Sequence, residues 1–192
     1  EVEIAIYQAG GITAGDSIIA GGLQACDPHE RGHGNLYAHQ LIILDLFPRD
    51  SKSGYYGDLT RTVVRGTASF EQRQLWEVCL RGQELALKKM KPHASGKKIH
   101  EAVQQFFIQQ GYPTEQKEGH WSGFFHGTGH GLGLELHEEP RLGKAILRPG
   151  HVFTIEPGLY IPGLGGVRHE DVITVTSSGY QLLSHFPKML EV

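Results

Sequence analysis

The sequence has 192 residues, a length that suits one domain or two small halves sharing a core. Hydrophobic residues make up 39% and charged residues 20%, the makeup of a folded chain rather than a disordered one. Lys and Arg total 18 against 21 Asp and Glu, and a formal charge of −3 excludes a general basic field for nucleic acid. The longest apolar runs, such as residues 41–44, are far too short to span a bilayer. Two cysteines, Cys26 and Cys79, supply neither a disulfide scaffold nor paired zinc ligands. The unusual counts are 26 glycines, which imply tight turns and close backbone approaches, and 12 histidines, which point to metal or acid–base chemistry.

The chain opens without an initiator Met or a charged-then-apolar signal. Residues 1–12 read as the end of a helix closed by Gly10 and Gly11, so the expectation is a segment of a longer protein, missing its first helix and any N-terminal domain. Residues 17–22 form a short strand leading into an irregular polar stretch. Residues 41–47 are a nearly continuous apolar run of strand length, which suggests a sheet covered on both faces. Turn formers fill residues 48–57, and residues 58–65 read as the returning strand of a hairpin. A helix follows from Ser69 to about Lys91. Ser69 with Gln72 fits a capping box, Leu75, Val78, Cys79, Ala86 and Met90 make a helical stripe, and Pro92 ends it. A second helix over residues 97–110 carries Ile99, Val103, Phe106 and Phe107 at helical spacing and stops at Gly111. Residues 124–138 are too glycine-rich for a helix. Residues 152–161 and 167–176 are strand-like, and a last strand lies near residues 180–183. No linker divides the chain, so residues 1–192 are expected to form one α+β domain, with helices against a curved, mainly antiparallel sheet.

Two pairs of acids occupy equivalent settings. Asp45 lies inside the run of residues 41–47, and Asp58 follows at the start of the returning strand. Glu156 closes the apolar run 152–155, and Glu170 follows in the next strand-like segment. Turn residues separate each pair, so a hairpin would set its two acids side by side. An acid in a buried strand costs several kcal/mol unless a salt bridge, a proton or a metal compensates it. For any one acid a salt bridge is the better explanation, with Arg61, Arg65 and Arg168 as partners. Four in two similar hairpins favour divalent cations instead.

The segment His126-Gly-Thr-Gly-His-Gly-Leu-Gly-Leu-Glu-Leu-His137 supplies imidazoles, and its alternate glycines let backbone approach an ion or substrate. It lacks the spacing and following helix of a phosphate loop. His137-Glu138 begins a zinc-protease signature, but Arg141 leaves it incomplete and Pro140 is poor inside a helix. His33, His39, His93, His100, His120, His151, His169 and His185 read as plain turn residues.

These blocks resemble the pita-bread metallopeptidases: methionine aminopeptidase, aminopeptidase P and prolidase. The resemblance runs from about Ile18 to the C-terminus. It rests on Asp45 with Gly54-Tyr-Tyr-Gly-Asp58-Leu-Thr-Arg-Thr, then the His126–His137 segment with Glu138-Glu139-Pro140. Thr154-Ile-Glu156-Pro-Gly-Leu-Tyr and Val167-Arg-His-Glu170-Asp complete it. The Gly-Asp-x-Thr-Arg-Thr and His-Glu-Glu-Pro forms are more similar to the proline-specific branch. The resemblance implies a pita-bread (creatinase/aminopeptidase) fold with helices on the outer face of the sheet and pseudo-twofold halves. It implies two divalent metal ions held by Asp45, Asp58, His130, Glu156 and Glu170, with Asp58 and Glu170 bridging. Manganese suits this set, and cobalt, zinc or iron are compatible. It further implies catalytic roles for Glu156, His137 and His126. His29, His126, His137 and Arg168 would bind substrate, Arg168 orienting a ligand carboxylate.

The implied activity is hydrolysis of a peptide bond near a free N-terminus, most simply Xaa-Pro, by a metallo-exopeptidase. Its partner would be a peptide, with no nucleic acid and no membrane; a homodimer and a cytoplasmic location complete the expectation. Two alternatives share the fold: a metal-free creatinase-type amidinohydrolase and a non-catalytic peptide-binding module. Both would be marked by loss of ligand residues, and none is lost here.

Overall fold

The computed structural model describes residues 1–13, 17–117 and 119–192. A short helix α1 (Val2–Gln8) turns at Gly10 into strand β1 (Gly11–Thr13). Next come β2 (Ile18–Gly21), a 3₁₀ turn over Gly22–Cys26, β3 (Leu41–Leu46), β4 (Pro48–Asp50) and β5 (Leu59–Val64). Strands β2, β3 and β5 form an antiparallel sheet with β3 in the centre, while β1 pairs with β4 as a separate ribbon. Leu41, Ile42 and Ile43 are all buried, as a strand covered on both faces requires.

Two helices follow. The first, α2 (Phe70–Lys89), begins with the expected capping box: the Ser69 hydroxyl accepts from the Gln72 amide, and the Gln72 side chain accepts from the Ser69 amide. The second, α3 (Gly96–Gln109), is capped by Ser95 and buries Ile99, Val103 and Phe107. A small hairpin of β6 (Glu115–Lys117) and β7 (His120–Ser122) follows, then the glycine-rich segment without regular structure.

The second half repeats the plan of the first. Strands β8 (Val152–Ile155), β9 (Gly158–Ile161), β10 (Gly165–Arg168), β11 (Asp171–Val175) and β12 (Tyr180–Leu182) complete the chain. β11 lies between β8 and β12, and β9 pairs with β10; every strand ladder among the described residues is antiparallel. The runs 152–161 and 167–176, each read as one strand, are therefore two strands apiece. Pro157 has no N–H to offer a ladder, and at Glu170 the backbone amide leaves its own half to donate to the Thr60 carbonyl at 3.1 Å.

The halves are joined at this seam. Thr62 Oγ1 donates to the Arg168 carbonyl and accepts from the Arg168 amide, at 3.0 and 2.9 Å. The main core, including Leu41, Leu75, Phe107, Phe153 and Ile173, fills the space between the two helices and the strands. Beneath the seam, the buried Arg61 guanidinium donates to Asp171 Oδ1 at 2.7 Å and to the carbonyls of Thr60, Glu170 and Phe186. Lys188 reaches Asp171 Oδ2 at 2.6 Å, so the C-terminal segment is tied under the junction of the halves.

Candidate metal centre

Each half carries its acids to the same place. Asp45 sits near the end of β3 opposite Thr60, and Asp58 immediately precedes β5. Glu156 follows β8, and Glu170 occupies the break between β10 and β11. With the halves joined through Thr60, Thr62, Arg168 and Glu170, all four carboxyls face one cleft of about 360 Å³. His29, His126, His130, His137 and Arg168 line the same cleft.

The glycine-rich segment delivers His130 by lying directly against β8. The Thr154 amide donates to the His130 carbonyl at 2.9 Å, and the Glu156 amide to the Thr128 carbonyl at 2.8 Å. Only glycine fits at 129: a Cβ there would stand 1.9 Å from the Thr154 carbonyl oxygen. At 131 it would stand 2.3 Å from that of Glu138. Gly127 meets no such limit, so the close approach belongs to the middle of the repeat.

The electrostatics of the cleft are unbalanced. Against four carboxyls stands one buried guanidinium, Arg168, and it is committed to Asp45 Oδ2 at 2.7 Å. The other Asp45 oxygen, Oδ1, is buried without a hydrogen-bond partner. Burial, then repulsion from Asp45 and Glu156, drives the Asp58 carboxyl well above the usual range. Burial and the neighbouring acids do the same to Glu170, although Thr60 Oγ1 donates to its Oε2 at 2.7 Å. Glu156 is pushed up to about 7, chiefly by burial. Such a cluster must take up protons or cations.

The imidazoles have defined roles. His130 Nδ1 lies 3.1 Å from the Gly131 carbonyl and donates to it, which leaves Nε2 unprotonated, 3.5 Å from both Asp58 Oδ2 and Glu156 Oε1. Burial holds His130 at about 4, hence neutral. His126 is fixed at both nitrogens. Arg168 donates to the Tyr160 hydroxyl at 2.8 Å, that hydroxyl donates to His126 Nε2 at 2.8 Å, and Nδ1 donates to the Gly127 carbonyl. Any substrate contact of His126 must exchange with one of these bonds. His137 is exposed at the cleft wall, its ring 4.2 Å from that of His130, and His29, also exposed, lines the same cleft.

The salt-bridge explanation thus applies to Asp45 alone among the four acids; Arg61 goes to Asp171 and Arg65 is exposed. Of the histidines read as turn residues, His39 and His93 do adopt left-handed backbone, with φ of 62° and 67°. His169 does not fit that reading. It is completely buried beside Trp76, with both ring nitrogens unpartnered. His100 also departs from it, sitting inside α3 and bonding Thr128 Oγ1 at 2.9 Å.

The profile of metallopeptidase family M24 matches residues 1–177. The chain belongs to metallopeptidase family M24. Among curated relatives it is 39% identical over 179 residues to the uncharacterized peptidase YqhT of Bacillus subtilis, covering 91% of this chain and 48% of that protein. It is 36% identical over 180 residues to a Xaa-Pro dipeptidase of Pyrococcus furiosus, covering 88% and 47%. Among solved structures, the prolidase of Pyrococcus horikoshii OT3 superposes with a TM-score of 0.88 at 34% identity, covering 98% of this chain and 53% of that one. The X-Pro aminopeptidase of Thermotoga maritima MSB8 gives 0.89 at 29% identity, covering 100% and 52%. The pita-bread architecture expected from the sequence is therefore the one this chain adopts. The chain spans about half the length of these relatives.

The residues present fit a divalent metal. Asp58, His130 and Glu170 offer ligand atoms that all lie within 4.8 Å of one another. The unpartnered Asp45 Oδ1 is a further buried oxygen without a hydrogen-bond donor. Hard carboxylate oxygens with one neutral imidazole are a donor set for such ions. Two buried groups that hold cleft residues were not singled out from the sequence. Thr60 holds Glu170, and Tyr160 links Arg168 to His126; the hydroxyl of Tyr160 inside the apolar stretch 158–161 was the available signal. Among the described residues, no helix is long and apolar enough to cross a membrane.

Proposed function

We propose that residues 1–192 are the catalytic domain of a dinuclear metal-dependent aminopeptidase that cleaves the bond between an N-terminal residue and a following proline. The observation that carries this reading is the convergence of four carboxyls and the free Nε2 of His130 on one cleft with a single committed cation. The proline preference is supported by the relatives named Xaa-Pro dipeptidase, prolidase and X-Pro aminopeptidase.

Asp45, Asp58, His130, Glu156 and Glu170 would hold two divalent ions, manganese suiting the oxygen-rich set. When bound, such ions polarise a carbonyl as Lewis acids and make a water acidic near neutral pH. The protein's own groups do the rest. Glu156 accepts a proton from the attacking water and passes it to the departing proline nitrogen, which has no hydrogen of its own while the bond is intact. His137, which lines the cleft, donates to the oxyanion that develops on the scissile carbonyl. Arg168, held between Asp45 and Tyr160, fixes the orientation of both. His29 and His126 face the portion of the peptide beyond the scissile bond.

The test is a turnover screen of Xaa-Pro and Met-Xaa peptides with manganese or cobalt, using protein that includes any sequence flanking these 192 residues. Xaa-Pro cleavage is expected, together with loss of both turnover and metal binding in Asp58→Ala. Hydrolysis by that variant at the wild-type rate would overturn the reading.

A further inference from the structure

Helix α2 turns Leu75, Cys79 and Leu87 to the core, yet the position between Cys79 and Leu87 on that face is Gln83, completely buried. Its Oε1 has no hydrogen-bond partner, a cost that an apolar side chain would avoid. Its Nε2 donates twice, to the Ile155 carbonyl at 2.9 Å and to Asp171 Oδ2 at 3.1 Å. Exchanging the amide's oxygen and nitrogen would set an oxygen against both acceptors, so this orientation is fixed. Asp171 already receives Arg61, Ser184 and Lys188, so its charge does not require the amide. Ile155 and Asp171 directly adjoin Glu156 and Glu170, the two acids that the second half sends to the cleft. The Ile155 carbonyl and the Glu156 amide belong to one peptide unit, and that unit is bonded at both poles. Gln83 donates to its oxygen, and its N–H donates to the Thr128 carbonyl at 2.8 Å. Thr128 is buried in turn, its Oγ1 2.9 Å from Nδ1 of the half-buried His100 on α3.

We infer that Gln83 is a positioning residue for Glu156: with Thr128 at the opposite pole, it clamps the peptide plane from which the Glu156 carboxyl enters the cleft. The inference rests on the proposed metallopeptidase chemistry and adds to it a residue that does not line the cleft. The clamp acts where the strand no longer can. Glu156 stands just past the end of β8, whose last partner on β11 is Asp171, opposite Ile155. A peptide unit is rigid, so its orientation is set by the dihedrals on either side of it. Held at one pole only, it is free to tilt, and a tilt carries the Glu156 carboxyl away from His130 Nε2, now 3.5 Å from Oε1. Bonds that orient a ligand in this way act on metal affinity and on proton transfer, not on the binding of substrate.

The experiment measures manganese affinity by equilibrium dialysis, and kcat and KM on the Xaa-Pro peptide that the wild type turns over fastest, in protein with its flanking sequence. Gln83→Met keeps the length of the side chain and removes the donor. It is expected to weaken manganese binding and to lower kcat, each by about ten- to a hundredfold, with KM little changed. Val103→Ala, a buried position of α3 outside the cleft lining, is the control for stability: it is expected to lower the melting temperature without either loss. His100→Ala loosens the Thr128 pole from a half-buried position and is expected to act as Gln83→Met does, by a smaller factor. Wild-type affinity and kcat in Gln83→Met, or losses no greater than those of Val103→Ala, would show that Gln83 only fills the core and would overturn this inference alone. Should Gln83→Met not fold, wild-type values in His100→Ala would overturn it equally. A wild-type protein that binds no manganese and cleaves no Xaa-Pro peptide removes the metallopeptidase reading and this one together.

Discussion

A carboxyl inside an apolar strand is conspicuous in the amino-acid sequence alone, and at Asp45, Asp58, Glu156 and Glu170 the signal proved to be spatial as well. All four reach one cleft because each hairpin places its acids at the same end. What holds His130 among them is a backbone contact. Gly129 lies so close to the Thr154 carbonyl that a methyl group would have to displace β8. Gly129→Ala is therefore expected to cost about 1–3 kcal/mol, read from urea unfolding, and to weaken metal binding in parallel. Unchanged stability and affinity would mean that the segment does not depend on this approach. Other residue-scale features were not legible in the sequence. Arg168 was one of three candidate partners for the acids, and only the joined halves reveal that it takes Asp45, 123 residues away. His169 was read as a plain turn residue, yet it and its neighbours Arg168, Glu170 and Asp171 are buried at the seam between the halves.

At the level of elements, legibility followed length and punctuation. Helix α2 was marked by a capping pair, a stripe and a terminating proline, and it begins where those signals put it. The pairs β1–β4 and β6–β7 have three residues per strand, too few for an alternating pattern to register. The break after Ile155 was marked by Pro157, a signal obscured by the apolar residues on both sides. These breaks matter, since Glu156 and Glu170 lie at them. Arg61 supports one: its guanidinium donates to the Glu170 carbonyl at 2.6 Å while pairing with Asp171. Removing one partner of a buried pair costs about 3–5 kcal/mol, so Arg61→Ala should lower the melting temperature by about 10 °C or more. A drop of only a degree or two would show that Lys188, the other cation on Asp171, holds the seam by itself.

For the molecule as a whole, the cleft is the junction of two similar halves, and the acids that repel one another there oppose the halves' closure. Cations bound between them should therefore stabilise the entire fold. At a free metal concentration one hundred times the dissociation constant, each ion contributes about 2.7 kcal/mol, or roughly 5–10 °C in melting temperature for a chain of this size. Thermal unfolding with manganese added after chelation checks this, and an unmoved transition would separate metal binding from folding. The most direct test of the account is metal stoichiometry. After equilibrium dialysis against manganese, the protein should retain two ions per chain, and Asp58→Asn should retain fewer with its fold intact by circular dichroism. Retention of no ion by the wild-type protein, or an unchanged count in Asp58→Asn, would contradict the claim that this cleft is a paired-cation centre.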